Sequence, residues 1–208
     1  MIYDISMPLR EGMPVYAGNP PFRRIETHAL GKDGSPVNQS RLEIGAHCGT
    51  HIDAPRHFEK DGYMVEAVPL ENLVGPARLL HFSRRDQVDR ADLEGLDWTG
   101  VERVLFRTRN SDHWAQGGEF DPGYVYLTGE GAKFLVERKV RLVGTDGLGI
   151  EQFGSKDHPA HHTLLQAGVT LLEGLYLKDV PPGDYTLFCG PLRIEGAEGA
   201  PARAFLMR

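Results

Sequence analysis

The stretch from Ala46 to Phe58, AHCGTHIDAPRHF, limits the possible folds of this chain more than any other part of the sequence. Histidines four residues apart are typical of one face of a metal-binding helix. Here Gly49 lies between His47 and His51, and Pro55 follows closely, so a continuous helix would have a weak interior and a break. The pattern therefore predicts an extended or looped segment.

An extended course would bring three metal-binding side chains together. Side chains alternate along a strand, so His51 and Asp53 would project to the same side. Gly49 permits a tight bend that would return His47 to the other two. The segment is thus predicted to form a compact group of two imidazoles and one carboxylate.

Composition favours a single domain that acts on a small molecule. The chain has 208 residues, 40% of them apolar, which is enough for one domain over residues 1–208 with a substantial core. The net charge is -6, and the Lys and Arg residues are dispersed rather than clustered. Neither nucleic acid nor an anionic membrane is therefore an expected partner, and a small-molecule substrate is.

The N-terminus and the cysteines favour a cytoplasmic protein. The first residues, MIYDISMPLREGMP, lack a basic leader with a long apolar core, and no apolar run approaches the roughly 20 residues that span a bilayer. Cys48 and Cys189 are two cysteines in a long chain, which does not indicate a disulfide framework. Cys48 is expected to point into the core.

The chain alternates between patterns typical of strands and of helices, which predicts an α/β fold with a mixed sheet. A helix capped by Thr128 and ending at Arg138 precedes a buried strand over residues 140–146, so a βα unit with parallel pairing is expected. Residues 84–97 are predicted to be partly helical, and residues 162–173 to form a short helix, a turn at Gly168 and a further strand or helix. Further strands are predicted over residues 1–6, 78–82 and 101–108 and twice within 185–208, with a loop over 8–21.

A second histidine group occurs far along the chain, in HPAHHTLLQAGVTLLEGL. It contains His158, His161 and His162 and is followed by Glu173. Imidazoles and carboxylates are the ligands that borderline metals prefer, and six of the nine histidines fall in the two groups. Local spacing alone leaves open whether the two groups share one metal site.

The segment HCGTHIDAPRHF resembles the H-x-G-T-H-x-D-x-P-x-H-F signature of the cyclase-like metal-dependent hydrolases, which include bacterial kynurenine formamidase and isatin hydrolase relatives. The stretches VPLENLVGPARLL, LVGTDGLGIE, HHTLLQAGVTLLEGL and PLRIEGAEGAPARAFL are also similar to that family, so the resemblance spans nearly the whole chain. It implies a swivelling β/β/α fold and assembly as a homodimer or homotetramer.

The resemblance also implies a role for each candidate residue. His47, His51 and Asp53 match the ligands of a first metal, and Asp53 would bridge to a second. His161 and Glu173, twelve positions apart, match the distal ligands, with His158 and His162 as adjacent alternatives to His161. The list of implied metal ligands is His47, His51, Asp53, His161 and Glu173.

The implied chemistry is hydrolysis of an amide or formamide. The expected cofactor is Zn²⁺, as one or two ions, with Mn²⁺ as an alternative; zinc lowers the pKa of bound water from 15.7 to about 7 and polarises a carbonyl. The leaving amine must be protonated, and His57 matches the family's proton-transfer histidine. Asp146 is interpreted as orienting the loop at the end of its strand.

The substrate is predicted to be a small aromatic formamide of the N-formylkynurenine type. In kynurenine formamidases the early loop resembles P-V-W-P-G-D, whereas this chain has PVYAGN, so Tyr16 replaces a tryptophan that stacks on the substrate. Gly149 also stands where relatives often carry serine. The alternatives are a hydrolase of a cyclic amide such as isatin and a catalytically inactive metal-binding relative.

Overall fold

The computed structural model describes residues 1–32, 34–83, 85–115 and 119–208. Twelve strands and five α-helices are assigned within these ranges. The strands are β1 (Ile2–Asp4), β2 (Arg23–His28), β3 (Gln39–Glu43), β4 (His51–Asp53), β5 (Val74–His81), β6 (Gln87–Val88), β7 (Arg103–Arg107), β8 (Tyr126–Leu127), β9 (Leu142–Thr145), β10 (Thr170–Glu173), β11 (Gly183–Pro191) and β12 (Gly199–Met207). The helices are α1 (Leu70–Leu73), α2 (Arg90–Leu93), α3 (Asn110–Ala115), α4 (Gly129–Glu137) and α5 (Pro159–Gln166).

The main sheet closes on itself. Its order is β12-β11-β5-β7-β9-β10-β4, and β4 pairs back onto β12, while β1 lies beside the far end of β12 as an edge strand. The four strands from β5 to β10 in this order are parallel, and the other pairings are antiparallel. This closed sheet confirms the predicted α/β class and mixed sheet.

Three of the parallel strands, β7, β9 and β10, are buried on both faces, which is why they appear in the sequence as largely apolar runs. Leu105, Leu142 and Leu172 point into the closed sheet and pack in one hydrophobic cluster. Their neighbours, such as Val104 and Val143, point outward into a second cluster beneath α4 and α5. The sheet interior and the layer under the helices are therefore two separate cores.

The predicted βα unit is present. The side chain of Thr128 accepts a hydrogen bond from the Gly131 amide at 3.0 Å and caps α4. The strands of the main sheet that precede and follow this helix, β7 and β9, pair in parallel. Helix α5, the turn at Gly168 with φ +74° and strand β10 follow in the predicted order. Helix α5 begins at Pro159, three residues earlier than the sequence pattern indicated, and β11 and β12 are the two predicted C-terminal strands.

The region of β2 and β3 differs from the sequence pattern, whereas the segment 84–97 is partly helical as predicted. Strands β2 and β3 form an antiparallel hairpin that the sequence did not predict, because the hairpin is exposed on both faces and has no apolar side to mark it. The segment 84–97 contains only the short helix α2 and the two-residue strand β6 among its described residues, and Arg84 lies outside them. None of the described helices has the length and apolarity needed to cross a membrane.

Candidate metal centre

The segment 46–58 is extended or looped, as its glycine and proline pattern predicted, and its residues His51–Asp53 form strand β4. Strand β4 lies between β10 and β12 and places His51 and Asp53 on the same side. In the antiparallel register Glu173 of β10 is directly opposite His51, and side chains of directly opposed residues are neighbours. The sheet therefore joins two ligands that are more than a hundred positions apart in the sequence.

Two glycines allow the backbone to turn into this centre. Gly49 has φ +64° and Gly174 has φ +67°, both in the left-handed region that favours glycine. A Cβ added at Gly174 would lie 2.2 Å from the carbonyl oxygen of Gly49, so the two turns pack backbone against backbone. The Thr50 hydroxyl donates to the Gly174 carbonyl at 2.6 Å and fastens the contact. The bend at Gly49 returns His47 to Asp53, as expected.

Asp53 lies between three histidines. Its Oδ1 is 2.8 Å from His47 Nδ1 and 3.4 Å from His51 Nε2, and its Oδ2 is 3.9 Å from His161 Nε2. Glu173 completes the group, at 3.4 Å from His51 Nε2 and 3.6 Å from His161 Nε2. The five side chains that the sequence nominated as metal ligands therefore converge on one centre.

The structure distinguishes the three adjacent histidines of the second group. His161 projects from α5 toward Asp53 and Glu173. His162 instead turns away, with Nδ1 at 2.6 Å from Glu59 Oε1. His158 precedes α5 and lines the cavity in front of the centre. Of the three, His161 is the one that faces the two carboxylates of the centre.

The electrostatics of the centre couple its histidines to its carboxylates. Burial alone would lower the pKa of His51, but hydrogen bonds to Asp53 and Glu173 outweigh burial and raise the pKa to about 10. Burial also opposes the rise in the pKa of His161, which hydrogen bonds to Glu151 and Glu173 bring to about 9. Burial and the charge of Asp53 both raise the pKa of Glu173, yet hydrogen bonds from His161 and His51 lower it to about 2. Both carboxylates are therefore held ionised inside the protein.

A divalent cation fits this donor set. Asp53 and Glu173 are only 1% and 3% exposed, and buried carboxylates are costly unless positive charge or hydrogen bonds compensate them. Within the described part of the chain, Asp53 Oδ2 is a buried oxygen that accepts no hydrogen bond. Ligand atoms of His51, Asp53 and Glu173 all lie within 4.8 Å of one another. Imidazole nitrogens and carboxylate oxygens are donors that zinc and manganese accept.

The remaining predicted site residues lie around the cavity of about 250 Å³ in front of the centre. His57 ends a short 3₁₀ turn that begins at Pro55, and its ring stacks on His47 with centroids 3.9 Å apart. Partial burial lowers the pKa of His57. Tyr16 lines the cavity and packs on Phe120 and Phe153, with centroids at 5.3 Å and 5.7 Å.

Two further residues named from the sequence are Asp146 and Cys48. Asp146 accepts hydrogen bonds from the amides and hydroxyls of Thr108 and Ser111 at 2.7–3.1 Å, which agrees with its interpretation as a loop-orienting residue. Cys48 is buried beside Met7 and Trp114, in the core as expected.

Sequence reasoning missed two acidic residues. Glu151 Oε2 lies 3.3 Å from His161 Nδ1, and Glu198 Oε1 lies 3.3 Å from His47 Nε2. Both carboxylates face the ring nitrogen that points away from the centre. No local pattern marks them, since Glu151 follows a glycine-rich loop and Glu198 precedes β12. Their relation to the histidines arises only when the sheet has closed.

A closed mixed sheet that presents three histidines and two buried carboxylates to a cavity has the architecture of a metal-dependent hydrolase. Residues 3–152 match the family model for Cyclase. A kynurenine formamidase from Bacillus cereus is 37% identical over 203 residues, which cover 98% of this chain and 95% of that protein. The chain therefore belongs to the cyclase family.

Solved structures show the same fold. A potential metal-dependent hydrolase with cyclase activity has a TM-score of 0.84 at 37% identity, covering 99% of this chain and 96% of its own. Isatin hydrolase A from Labrenzia aggregata, bound to benzyl benzoate, has a TM-score of 0.84 at 27% identity, covering 99% of this chain and 93% of its own. The family fold expected from the sequence is confirmed.

Proposed function

We propose that this chain is a single-domain, metal-dependent hydrolase that cleaves the formamide bond of a small aromatic substrate of the N-formylkynurenine type. The observation that carries the proposal is the convergence of His47, His51, Asp53, His161 and Glu173 at the floor of one cavity. The full-length similarity to kynurenine formamidases supports the reaction class, and a role in tryptophan breakdown follows from that substrate.

The residues of the chain divide the work of hydrolysis between them. When bound, the metal supplies Lewis-acid polarisation of the carbonyl and acidifies water. His57, with its lowered pKa, is neutral near pH 7 and is placed at the cavity to accept a proton and return it to the departing amine. Asp53 and Glu173 would compensate the positive charge of a bound metal with two carboxylates on different strands.

The cavity wall supports an aromatic substrate. Phe58 stacks on His161 with ring centroids 4.1 Å apart, and Tyr16 lines the same cavity with Phe120 and Phe153 behind it. A planar aryl ring would gain apolar contact and edge or face packing against such a wall. Tyr16 is thus the proposed substrate-stacking residue.

The metal is proposed to be Zn²⁺, as one or two ions, with Mn²⁺ as the alternative. Five donors exceed the four that a tetrahedral structural zinc site uses, and Asp53 offers one oxygen toward His47 and His51 and the other toward His161. If two ions bind, Asp53 would be the residue that contributes to holding both. Metal analysis of the purified protein by mass spectrometry would give the identity and the number of ions.

Self-association and a cytoplasmic location are also part of the proposal. The β2–β3 hairpin exposes both faces, and an isolated two-stranded hairpin is at best marginally stable, so a second copy of the chain is the proposed cover. Leu30 and Leu42 on or beside this hairpin are 65% and 57% exposed. Cys48 and Cys189 are buried free thiols, which suits a reducing compartment. Sedimentation equilibrium would show a dimer or tetramer.

Turnover assays test the substrate. The metal-loaded protein is expected to hydrolyse N-formylkynurenine or simple N-formylanilines, to lose that activity after chelation and to regain it when metal is returned. Isatin is included because a cyclic amide is the competing substrate and an isatin hydrolase shares the fold. If the metal-loaded protein hydrolyses none of these compounds, the proposed substrate class is wrong.

The variant His57→Ala separates an enzyme from a protein that only binds. Loss of a general acid–base group should lower kcat by about 10²–10⁴-fold. Metal content should stay at the wild-type level, because His57 is not among the five ligands. Inductively coupled plasma analysis and steady-state kinetics on the same preparation give both values. Unchanged kcat would assign the proton transfer to another group.

A further inference from the structure

Glu151 is a buried carboxylate that the proposed reaction has not used. Its side chain is 6% exposed and lies in the loop after β9, between the start of α5 and the cavity. Buried carboxylates are costly unless they are fully hydrogen-bonded, so its partners indicate its role.

One oxygen of Glu151 holds both the backbone and the side chain of His161. Oε2 accepts hydrogen bonds from the amides of Ala160 and His161 at 2.9 Å and 3.1 Å. The same oxygen lies 3.3 Å from His161 Nδ1, within hydrogen-bond distance. These contacts cap the first turn of α5 and fix the rotation of the imidazole that this turn carries.

The contact with Nδ1 also determines which ring nitrogen is free. A carboxylate can only accept, so Nδ1 carries the hydrogen, and in the neutral ring Nε2 is left as the electron-pair donor. Nε2 is the nitrogen that faces Asp53 and Glu173. His51 is arranged in the same way, since its Nδ1 faces the carbonyl of Gly49 at 2.9 Å.

We propose that Glu151 is a positioning residue for the metal centre, which acts through His161 by fixing its rotation and its tautomer. The inference rests on the metal centre of the proposed function. A carboxylate behind a ligating imidazole also raises the basicity of that imidazole, more than a neutral carbonyl does. His161 therefore depends on Glu151 for part of its affinity for metal.

Geometry favours this role over a separate metal site. Ligand atoms of Glu151, His158 and His161 lie within 4.8 Å of one another, which could suggest an additional ion. However, Oε2 is directed at two backbone N–H groups at the positive end of the α5 dipole, where a cation is repelled. The same contacts leave these amides satisfied, so the helix start is not open to an anion either.

The chain offers a matched control on the same helix. His162 Nδ1 lies 2.6 Å from Glu59 Oε1, so Glu59 forms the same kind of carboxylate–imidazole pair on a histidine outside the centre. The informative variants are Glu151→Gln, which keeps an oxygen acceptor for the amides but loses the charge, and Glu59→Gln. Glu151→Ala removes both the cap and the charge.

The first measurement is the Zn²⁺ dissociation constant, obtained by competition with a chromogenic chelator. The second is the thermal unfolding temperature of each metal-free variant. Glu151→Gln should weaken Zn²⁺ binding by about 10–100-fold, while its metal-free form unfolds near the wild-type temperature. Glu59→Gln should bind Zn²⁺ within about twofold of wild type. If Glu151→Ala does not fold, Glu151→Gln carries the test alone.

Three outcomes would overturn the proposal. Zinc affinity of Glu151→Gln within about twofold of wild type would reduce Glu151 to a helix cap. An equal loss in Glu59→Gln would show a general charge effect. A changed coordination number in the visible spectrum of the Co²⁺-loaded Glu151→Gln protein would make Glu151 a direct ligand. None of these readouts uses substrate, so they remain informative even if the proposed formamidase activity is absent.

Discussion

At the scale of single residues, two imidazoles of the centre, His51 and His161, have their second ring nitrogen already paired. His51 gives Nδ1 to the Gly49 carbonyl and His161 gives Nδ1 to Glu151, which leaves Nε2 of each ring facing the carboxylates. His47 is reversed, with Nδ1 toward Asp53 and Nε2 toward Glu198. His51 and His161 are thus oriented before any ligand arrives, which reduces the ordering needed for binding.

Residue chemistry also explains how far the sequence could define the site. His51 and Asp53 follow from strand alternation and His47 from the bend at Gly49, all within one short segment. Glu173 and His161 carry no local signal that joins them to this segment, and only the family resemblance connected them. Glu151 was missed because its contact with His161 forms only in the folded protein. A single glutamate in a sequence carries no pattern that predicts such a contact.

His158 carries backbone strain at the cavity. Its φ is +40° and its ψ is +50°, a left-handed conformation that L-residues avoid and that is unusual before a proline. Within the described residues its Nδ1 is a buried nitrogen without a hydrogen-bond partner. Strain of this kind costs about 1–3 kcal/mol and persists at functional positions when the surroundings impose it.

Relief of this strain should stabilise the protein. Asparagine tolerates the left-handed region, so His158→Asn should raise the free energy of unfolding of the metal-free protein by about 0.5–1 kcal/mol. Lys139, with φ +60° after α4, is the matched site away from the cavity, and Lys139→Asn should give a similar gain. Urea denaturation measures both. Turnover should fall in His158→Asn alone, and an equal fall in both variants would remove the link between strain and function.

At the scale of secondary-structure elements, the register of β4 against β10 positions the ligands. The pairing of His51 with Glu173 depends on the close approach of the turns at Gly49 and Gly174. A shift of one residue would turn every side chain of β4 to the opposite face and separate His51 and Asp53 from their partners. The sequence predicted that the β4 segment is extended or looped and left the β10 segment as a strand or a helix, and it contained no information on their relative register.

The variant Gly174→Ala tests this contact. Its Cβ would lie 2.2 Å from the Gly49 carbonyl oxygen, which is backbone and cannot move aside as a side chain can. Gly168→Ala is the control, because Gly168 has φ +74° but no atom within 4 Å of an added Cβ. In the control, the free energy of unfolding should fall only by the cost of placing alanine in the left-handed region, about 1–2 kcal/mol. Gly174→Ala should lose more and should also bind Zn²⁺ more weakly.

Urea denaturation and zinc competition on the two glycine variants give the comparison directly. Equal losses of stability in Gly168→Ala and Gly174→Ala, with unchanged zinc affinity in both, would show that the approach of the two turns does not hold the centre together. Gly168 precedes β10 and Gly174 follows it, so both variants change a turn beside the same strand.

At the scale of the whole molecule, closure of the sheet joins a strand from the first quarter of the chain to strands near its C-terminal end. Strand β4 is flanked by β10 on one side and by β12 on the other, and these strands come from the last third of the sequence. The sequence predicted most of the strands and the βα unit, because each has a local apolar pattern. It did not predict strand order, since order is decided by which strands meet on closure, which no local pattern encodes.

Because the proposed metal ligands come from β4 and the turn before it, from β10 and from α5, bound metal should stabilise the molecule as a whole. A ligand at about 1,000 times its dissociation constant adds about 4 kcal/mol to the free energy of unfolding. For a domain of this size that corresponds to a rise in Tm of about 8–16 °C. Thermal unfolding of the zinc-loaded protein should therefore shift downward by this amount on chelation and recover when Zn²⁺ is restored.

Asp53→Asn provides the control for that shift, because it keeps the side-chain volume but removes the charge shared by three histidines. Its Tm should be nearly insensitive to chelator, since little metal remains to be removed. Asp184→Asn, which changes an exposed carboxylate paired with Arg78, should keep the full wild-type shift. A wild-type Tm that chelation leaves unchanged would mean that no ion joins β4 to β10 and α5, and the distant segments would then be held together by the sheet alone.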